Sequence, residues 1–263
     1  MPLKRPRPKN VPHDVNAPIL KLAEVCLDYD GNAALEHVSF QLKTGERVAV
    51  VGPNGAGKST LFQVIAGILP PTRGDIQIYG HRPSRHLCIA YVPQRTQVDW
   101  TFPVNVTDAV MMGRVGKLGL LRYPDWGDWD FVRSCLEAMN IADLARRQIG
   151  QLSGGQQQRM MIARALAQEA ELMLMDEPLS GLDVRSQGDI LDVMDVLRRR
   201  GVTVMVATHD LDLAARRFDR VMLLNRRLLA FGSPDEVFTP TRLAAAYGGP
   251  LQRLEHSDEG EHP

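Results

Sequence analysis

A glycine-rich stretch between residues 48 and 60, with the sequence VAVVGPNGAGKST, constrains this chain more than any other segment. Four apolar residues that favour a β-strand precede the glycines, and the apolar helical pattern Leu61–Ala66 follows them. Glycines let a backbone come close to a ligand, so its N–H groups and a helix N-terminus converge on phosphate oxygens. At this spacing the lysine reaches the β- and γ-phosphates, and the next hydroxyl binds Mg²⁺. We therefore predict that a nucleotide is held by Gly52, Pro53, Asn54, Gly55, Ala56, Gly57, Lys58, Ser59 and Thr60.

The composition is that of an ordinary globular protein and favours no polyanionic partner. Thirty-one basic residues balance thirty-one acidic ones, so no net field attracts nucleic acid. The three cysteines are far apart and form no zinc or disulfide pattern, so we expect them in the core. No run of apolar residues is long enough to span a bilayer. We expect a disordered basic arm at residues 1–18, for which a basic contact with lipid headgroups or with a partner is the alternative, and a flexible tail at residues 250–263.

The segment before the glycine-rich stretch has the pattern of an antiparallel hairpin. Apolar residues alternate with polar ones from Ile19 to Leu42, and Gly31-Asn32 interrupts them. Tyr29 lies at the end of the first half, where an aromatic ring is able to stack on an adenine base. A turn tyrosine without a ligand is the alternative.

A second, mostly helical lobe is predicted at approximately residues 95–165, inserted into the first. Helix-like stretches lie near Val106–Arg114 and Asp128–Met139, separated by glycines and a proline. The insertion contains all three tryptophans, Trp100, Trp126 and Trp129, together with Phe102 and Phe131. Clustered aromatic residues suit a surface that docks a partner, and they equally suit the core of a small lobe.

A second helix start rich in glycine follows the insertion. Ser153, Gly154, Gly155 and Gln156 open a long amphipathic helix with an N-cap serine. Free N–H groups and a hydroxyl at a helix start form an anion site. Because the first loop already holds its own ligand, we expect this site to face a nucleotide held by another copy of the chain.

Polar residues follow three of the predicted core strands. Asp176 and Glu177 end a buried strand, where alternation lets Asp176 face Mg²⁺ and Glu177 face the water that attacks the γ-phosphate. His209 follows the last core strand and is placed to donate to the γ-phosphate. Gln94 follows the strand at residues 88–92, and its amide suits Mg²⁺ or water.

Together these residues resemble the motifs of ATP-binding cassette (ABC) transporter ATPases, in order and spacing, from Ile19 to Gly249. The resemblance assigns the motifs as follows: Gly52–Thr60 is similar to Walker A (the P-loop), Gln94 to the Q-loop, Leu152–Gln156 to the LSGGQ signature, Leu172–Asp176 to Walker B followed by Glu177, Ser180–Asp183 to the D-loop, and His209 to the switch histidine. The implied fold is α/β, a RecA-like P-loop NTPase core with an antiparallel β subdomain and an inserted α-helical subdomain, spanning residues 19–249.

Within that family, several segments resemble the manganese, zinc and iron class of metal importers. They are Gln97–Val104, Met112–Arg114 with Gly116, Gly119 and Leu120, Arg147–Ser153, and the ending Ala244–Gly249. Leu179-Ser180 departs from that class, whose members often carry Phe-Thr at this place.

The resemblance implies an ATP hydrolase that acts as a head-to-tail pair of identical copies at the cytoplasmic face of the membrane. Two ATP molecules with Mg²⁺ lie between the copies, each held by Lys58, Ser59 and Thr60 of one copy and by the Ser153–Gln156 segment of the other, with Asp183 nearby. The partners implied are a multi-span permease that docks on the helical lobe and, indirectly, an extracytoplasmic metal-binding protein. An ABC ATPase for an iron chelate, haem or an exported lipid, and a nucleotide-gated clamp in translation or DNA repair, are the alternatives.

Overall fold

The computed structural model describes residues 17–29, 31–82, 88–119 and 122–248. The strands are β1 (Leu20–Tyr29), β2 (Asn32–Leu42), β3 (Arg47–Val51), β4 (Arg73–Gln77), β5 (Ile89–Val92), β6 (Leu172–Asp176), β7 (Thr203–Ala207), β8 (Arg220–Asn225) and β9 (Arg227–Gly232). The α-helices are α1 (Lys58–Ile65), α2 (Val106–Met111), α3 (Val115–Leu118), α4 (Trp126–Ala138), α5 (Gly154–Ala167), α6 (Val184–Arg199), α7 (Leu211–Arg217), α8 (Pro234–Val237) and α9 (Pro240–Tyr247). The expected arm, apart from residues 17 and 18, and the expected tail lie outside the described residues, as do Leu120 and Gly249.

The larger sheet has six strands in the order β5-β6-β7-β3-β8-β9. The first five strands pair in parallel, and β9 pairs antiparallel with β8. Every residue of β6 and β7 is buried, because apolar layers cover both faces of a parallel sheet. The carboxyl ends of β3, β5, β6 and β7 therefore open on one edge, which is the usual place for a ligand in such folds.

A smaller antiparallel sheet, in the order β2-β1-β4, packs on one side of this core. Its inward residues join the apolar cluster that contains Val48 and Val50 of β3 and Phe62 of α1. The alternating residues Ala49 and Val51 belong to the cluster on the opposite face of the larger sheet. The predicted hairpin is confirmed, with Leu20 opposite Leu42 and Tyr29 opposite Asn32.

The chain between β5 and β6 forms a helical layer in which α5 packs against α2, α4 and α6. The side chain of Arg114 contacts several segments of this layer. Its guanidinium donates to the buried Asp128 carboxylate at 2.8 Å and to Glu169 at 2.9 Å, and it lies 4.9 Å from the ring centre of Phe131. The Asp128 side chain also accepts from the backbone N–H of Asp125, so the same contacts fix the start of α4.

The aromatic residues of this insertion divide between the two roles that the sequence leaves open. Trp100 and Phe131 pack against the core, and the indole of Trp100 donates to the Arg95 carbonyl at 3.0 Å. Trp126 is 87% exposed, Phe102 is 53% exposed and Trp129 is 38% exposed. Packing accounts for the first group, whereas the side chains of the second group are exposed.

Two predicted helices differ in detail from the structure. The stretch near Val106–Arg114 is α-helical only to Met111 and continues as a 3₁₀ turn at Met112–Arg114. The helix expected at Asp128–Met139 begins two residues earlier, because Asp125 caps it.

Three further sequence expectations concern cysteines, metal clusters and membrane spans. All three cysteines are buried and unpaired, which confirms their prediction as core residues. Within the described ranges, no cluster of three or more histidine, cysteine, aspartate or glutamate residues is suited to hold a metal ion. No helix in the part of the chain that the structure describes is long and apolar enough to cross a bilayer.

Candidate functional site

The P-loop (Gly52–Thr60) joins the end of β3 to α1. Gly55 and Gly57 adopt positive φ values of 78° and 91°, which L residues rarely adopt. Gly57 also has no space for a side chain, because a Cβ atom would lie 2.5 Å from the Ala34 carbonyl oxygen. The loop is fixed on its outer side by Arg226, whose N–H donates to the Ala56 carbonyl at 2.8 Å. The first N–H groups of α1 have no partner within the helix and point toward the loop.

The side chain of Lys58 is buried within this loop. Its ammonium donates to the carbonyl oxygens of Gly52 at 2.8 Å and Pro53 at 3.0 Å. Burial lowers the pKa of Lys58, and the nearby carboxylates of Glu177 and Asp176 oppose that shift. The lysine therefore lies within the loop, close to two acids.

Asp176 ends β6 and is almost fully buried, at 2% exposure. Burial raises the pKa of Asp176, a hydrogen bond from Ser59 lowers it, and the charge of Glu177 raises it further. The phenol of Tyr91 donates to the same carboxylate at 3.4 Å, and burial raises the pKa of Tyr91 to about 12, so the phenol stays protonated. A buried carboxylate costs free energy unless donors or a cation surround it.

Glu177 has different hydrogen-bond partners from Asp176. It follows β6 with a positive φ of 46°, and its N–H donates to the Ala207 carbonyl at 3.0 Å. The Gln94 amide donates to the Glu177 carboxylate at 3.1 Å. A cavity of about 180 Å³ is lined by Glu177, Ser180, Gly181 and His209 among others. The ends of β5, β6 and β7 thus bring Gln94, Glu177 and His209 together.

The donors present at this edge fit Mg²⁺. A serine hydroxyl, a buried aspartate and an amide oxygen are hard oxygen ligands, which this ion prefers. Asp176 meets the neutral Ser59 hydroxyl and Tyr91 phenol, and burial raises its pKa despite these donors and the nearby Lys58 charge, so a further cation would stabilise its charged form. Ser59, Asp176 and the Gln94 amide oxygen are therefore suited to hold Mg²⁺, as the sequence predicts.

The start of α5 forms a second cluster. Ser153 is the N-cap, and its hydroxyl accepts from the Gln156 N–H at 3.4 Å, while the Gln156 side chain accepts from the Ser153 N–H at 2.9 Å. Asp183 caps α6 in the same way and accepts from the Ser186 N–H at 2.9 Å and from its hydroxyl at 2.8 Å. Both caps set the direction of a helix start.

The two glycines at the start of α5 make close contacts within the chain. A Cβ atom on Gly155 would lie 2.7 Å from the Ser186 hydroxyl, and one on Gly154 would lie 2.6 Å from the Arg95 guanidinium. The start of α5 therefore packs tightly on the start of α6 and on the residue after Gln94. In the described part of the chain, no hydrogen bond joins this cluster to the P-loop.

The predicted site residues thus fall into two groups and one outlier. The first group surrounds the P-loop and includes Lys58, Ser59, Gln94, Asp176, Glu177 and His209. The second group comprises Ser153–Gln156 and Asp183. Tyr29 lies at the end of β1, 47% exposed, and contacts neither group by a hydrogen bond that the described residues show.

Sequence reasoning did not identify three residues at the site, namely Tyr91, Arg95 and Ser186. Tyr91 lies within a strand whose residues read as apolar core, and Ser186 lies inside a helix. Arg95 directly follows Gln94, and that adjacency was the available signal.

The chain matches a known protein family and is similar to known members of it. The ABC transporter family matches residues 35–180. The chain is 43% identical to the manganese transport system ATP-binding protein MntB of Bacillus subtilis (strain 168), over 89% of this chain and 94% of that protein. It is 41% identical to the zinc transport system ATP-binding protein TroB of Treponema pallidum (strain Nichols), over 88% of this chain and 87% of that protein.

A solved structure supports the same fold. The cbiO1 protein of Clostridium perfringens, described as part of the ABC transporter complex cbiONQ, is 30% identical, with a TM-score of 0.74. The alignment covers 88% of this chain and 94% of that one.

Proposed function

This chain belongs to the ABC transporter ATPase family, and we propose that it hydrolyses ATP to drive the import of a divalent metal cation through a membrane permease. The observation that carries the proposal is the meeting of Lys58, Ser59, Gln94, Asp176 and Glu177 at one sheet edge. Of these, Gln94 and Glu177 are directly hydrogen-bonded. The manganese and zinc transport relatives support the class of cargo.

The first group of residues accounts for binding and hydrolysis of ATP. The P-loop N–H groups and the Lys58 ammonium bind the phosphates, which requires that Lys58 exchange its bonds to Gly52 and Pro53 for bonds to phosphate oxygens. Glu177 orients the attacking water, and Gln94 holds the Glu177 carboxylate. His209 donates to the γ-phosphate from the end of β7. When bound by Ser59, Asp176 and Gln94, Mg²⁺ supplies positive charge that stabilises the phosphate oxygens.

The second group completes the site of another copy. The start of α5 presents N–H groups and the Ser153 hydroxyl, which together suit an anion, yet the residues around it contain no phosphate loop of their own. A head-to-tail pair would place this segment on the γ-phosphate held by the other copy. Asp183, which caps α6, would then lie at the same interface between the two copies. Tyr29 would stack on the adenine.

The helical layer offers a docking face for the permease. We define this face by five exposed side chains on or near α3 and α4: Met112, Val115, Tyr123, Trp126 and Trp129. Tyr123 is 96% exposed and Trp126 is 87% exposed. Exposed aromatic anchors of this kind are common in protein interfaces. Docking here would bring the chain to the cytoplasmic face of the membrane as a peripheral subunit, with a metal-binding protein acting on the other side.

The proposal is tested by metal uptake in cells that lack this chain. We expect the cellular content of Mn²⁺, Zn²⁺ or Fe²⁺ to fall, and to be restored by the wild-type chain but not by Glu177→Gln. Purification of the complex should recover a multi-span membrane protein. Unchanged content of all three metals would contradict metal import and favour another cargo, and recovery of ribosomes or DNA instead of a permease would favour a clamp.

A further inference from the structure

We propose that Arg95 is a positioning residue that holds the start of α5 and the D-loop turn in register with the Q-loop. The inference rests on the proposed function. It assigns a task to a side chain that the motifs do not include.

Arg95 has a fixed backbone. Its carbonyl accepts from the Trp100 indole at 3.0 Å and from the Val98 N–H at 3.3 Å, inside the 3₁₀ turn Arg95–Gln97. The preceding residue, Gln94, donates to Glu177 at 3.1 Å. The direction of the Arg95 side chain is therefore linked to the place of the residue that holds Glu177.

The guanidinium of Arg95 reaches both segments of the second cluster. Its Nη1 atom lies 2.6 Å from where a Cβ atom of Gly154 would be, and donates to the Gln157 side-chain oxygen at 3.5 Å. Its Nη2 atom lies 3.7 Å from where a Cβ atom of Gly181 would be. One planar group thus occupies the space beside the first residue of α5 and beside the turn before Asp183.

The Arg95 guanidinium occupies the space in which a side chain of residue 154 would begin. Unlike Gly57, Gly154 has no positive φ, so its backbone conformation does not require glycine. An added Cβ atom would require the guanidinium to move and would lie 3.2 Å from Leu182. The glycine at the start of α5 and Arg95 therefore form a matched pair within one chain.

The chemistry of arginine suits this role better than that of lysine. A guanidinium is a rigid planar fork that is always charged, whereas lysine carries a single ammonium on a flexible stem. Of the two side chains, only the guanidinium is able to contact the start of α5 and the D-loop turn at once. Its positive charge also lies next to a helix N-terminus, where it adds to the potential that attracts a phosphate.

A movement of the Q-loop would therefore move the surface offered to the other copy. Gln94 and Arg95 are adjacent, so displacement of this turn changes the contact with Glu177 and the position of Gly154 together. The Q-loop would act on both clusters through two neighbouring side chains.

The test compares Arg95→Met, Arg95→Lys and the control Arg73→Met, which removes an exposed arginine of β4, in the transporter assembled with its permease. We expect Arg95→Met to lower kcat by about 3- to 30-fold, in the range seen for residues that carry coupling between sites. The kcat of Arg95→Lys should lie between those of Arg95→Met and the wild type, and the kcat of Arg73→Met should equal that of the wild type. Binding of ATP to the P-loop, measured with Glu177→Gln in each background, should change less than about twofold, because the guanidinium contacts the other cluster.

A double-mutant cycle separates positioning from packing. Gly154→Ala displaces the guanidinium and also alters a segment that faces the nucleotide of the other copy, so we expect it to lower kcat by a larger factor in the wild type than in the Arg95→Met background. Additive effects of the two changes, or a wild-type kcat for Arg95→Met, would overturn the proposal. Weaker ATP binding to the P-loop in Arg95→Met would overturn it as well, since it would indicate a general disturbance.

Failure of this inference is distinguishable from failure of the proposed function. If Glu177→Gln abolishes hydrolysis and Arg95→Met does not change it, the ATPase assignment stands and only the positioning role is wrong. If the assembled transporter with the wild-type chain does not hydrolyse ATP, or cells that lack the chain keep an unchanged metal content, the proposed function is wrong.

Discussion

The P-loop and the start of α5 are both glycine-rich helix starts that suit a phosphate, yet they are built differently. The P-loop requires glycine for its backbone conformation at Gly57, and it is surrounded by Lys58, Asp176 and Glu177. At the start of α5, added Cβ atoms would meet Ser186 and Arg95, a serine cap closes the helix start, and the nearby Asp183 carboxylate is engaged by Ser186 at the cap of α6. The first region is equipped to bind and cleave, whereas the second is equipped only to bind.

This difference argues that the two regions act on the same ligand from different copies. A helix start that lacks a phosphate-binding lysine, and whose nearby acid is engaged in capping another helix, does not by itself hydrolyse a phosphoanhydride. A P-loop that lacks a cover on its outer side leaves the γ-phosphate exposed to water. The P-loop supplies the lysine and the acids, and the start of α5 supplies a cover for the γ-phosphate.

The largest effect that separates the two regions is expected for Glu177→Gln. The amide keeps the shape of the side chain and its contact with Gln94 but loses the carboxylate that orients water. Turnover should fall by about 10² to 10⁴-fold while ATP binding persists, as measured by steady-state hydrolysis and by equilibrium binding. Loss of binding with loss of turnover would place Glu177 in ligand binding instead.

Matched alanine substitutions at the two glycines sharpen the comparison. Gly57→Ala introduces positive-φ strain and a contact with the Ala34 carbonyl, so we expect a loss of about 1–3 kcal/mol, or about 2–12 °C in Tm. Gly154→Ala meets only the flexible end of Arg95 and the Leu182 methyl, so its Tm should fall by less than about 2 °C. Thermal unfolding of both variants measures this, and equal losses would contradict the distinction between conformation and space.

The smallest change in stability is expected for Trp126→Ala, whose main effect should be on the docking face. Because this side chain is 87% exposed, its removal should leave Tm within about 1 °C of the wild type. Binding to the permease should weaken by about fivefold or more, as for an aromatic anchor in an interface. Trp100→Ala is the matched control. It should lower Tm, since Trp100 packs against the core and donates to the Arg95 carbonyl. Unchanged permease binding by Trp126→Ala would remove this tryptophan from the docking face.

Much of the fold was predictable because local patterns decided it. The alternation from Ile19 to Leu42 gave the β1–β2 hairpin, and the apolar runs at β3, β6 and β7 gave buried parallel strands. Helix bounds were less predictable where caps act across a turn, as Asp125 does at the start of α4.

The site was predictable where a motif fixes both residue type and position, as with Lys58 and Ser59. The division of the aromatic residues between core and surface was not predictable, because burial depends on packing between segments that are far apart in sequence. Arg95 and Ser186 escaped sequence reasoning for the same reason. Their significance lies in distances to Gly154 and Gly155, which no local pattern encodes.

The most direct test of the account is ATP turnover by Ser153→Arg in the transporter assembled with its permease. Ser153 lies outside the P-loop cluster, so ATP should still bind, as measured by equilibrium binding at the P-loop. Turnover should fall by at least about 10²-fold, because a bulky residue would block the start of α5 from the γ-phosphate of the other copy. Hydrolysis at the wild-type rate would contradict the central claim, since it would mean that one copy completes the site alone.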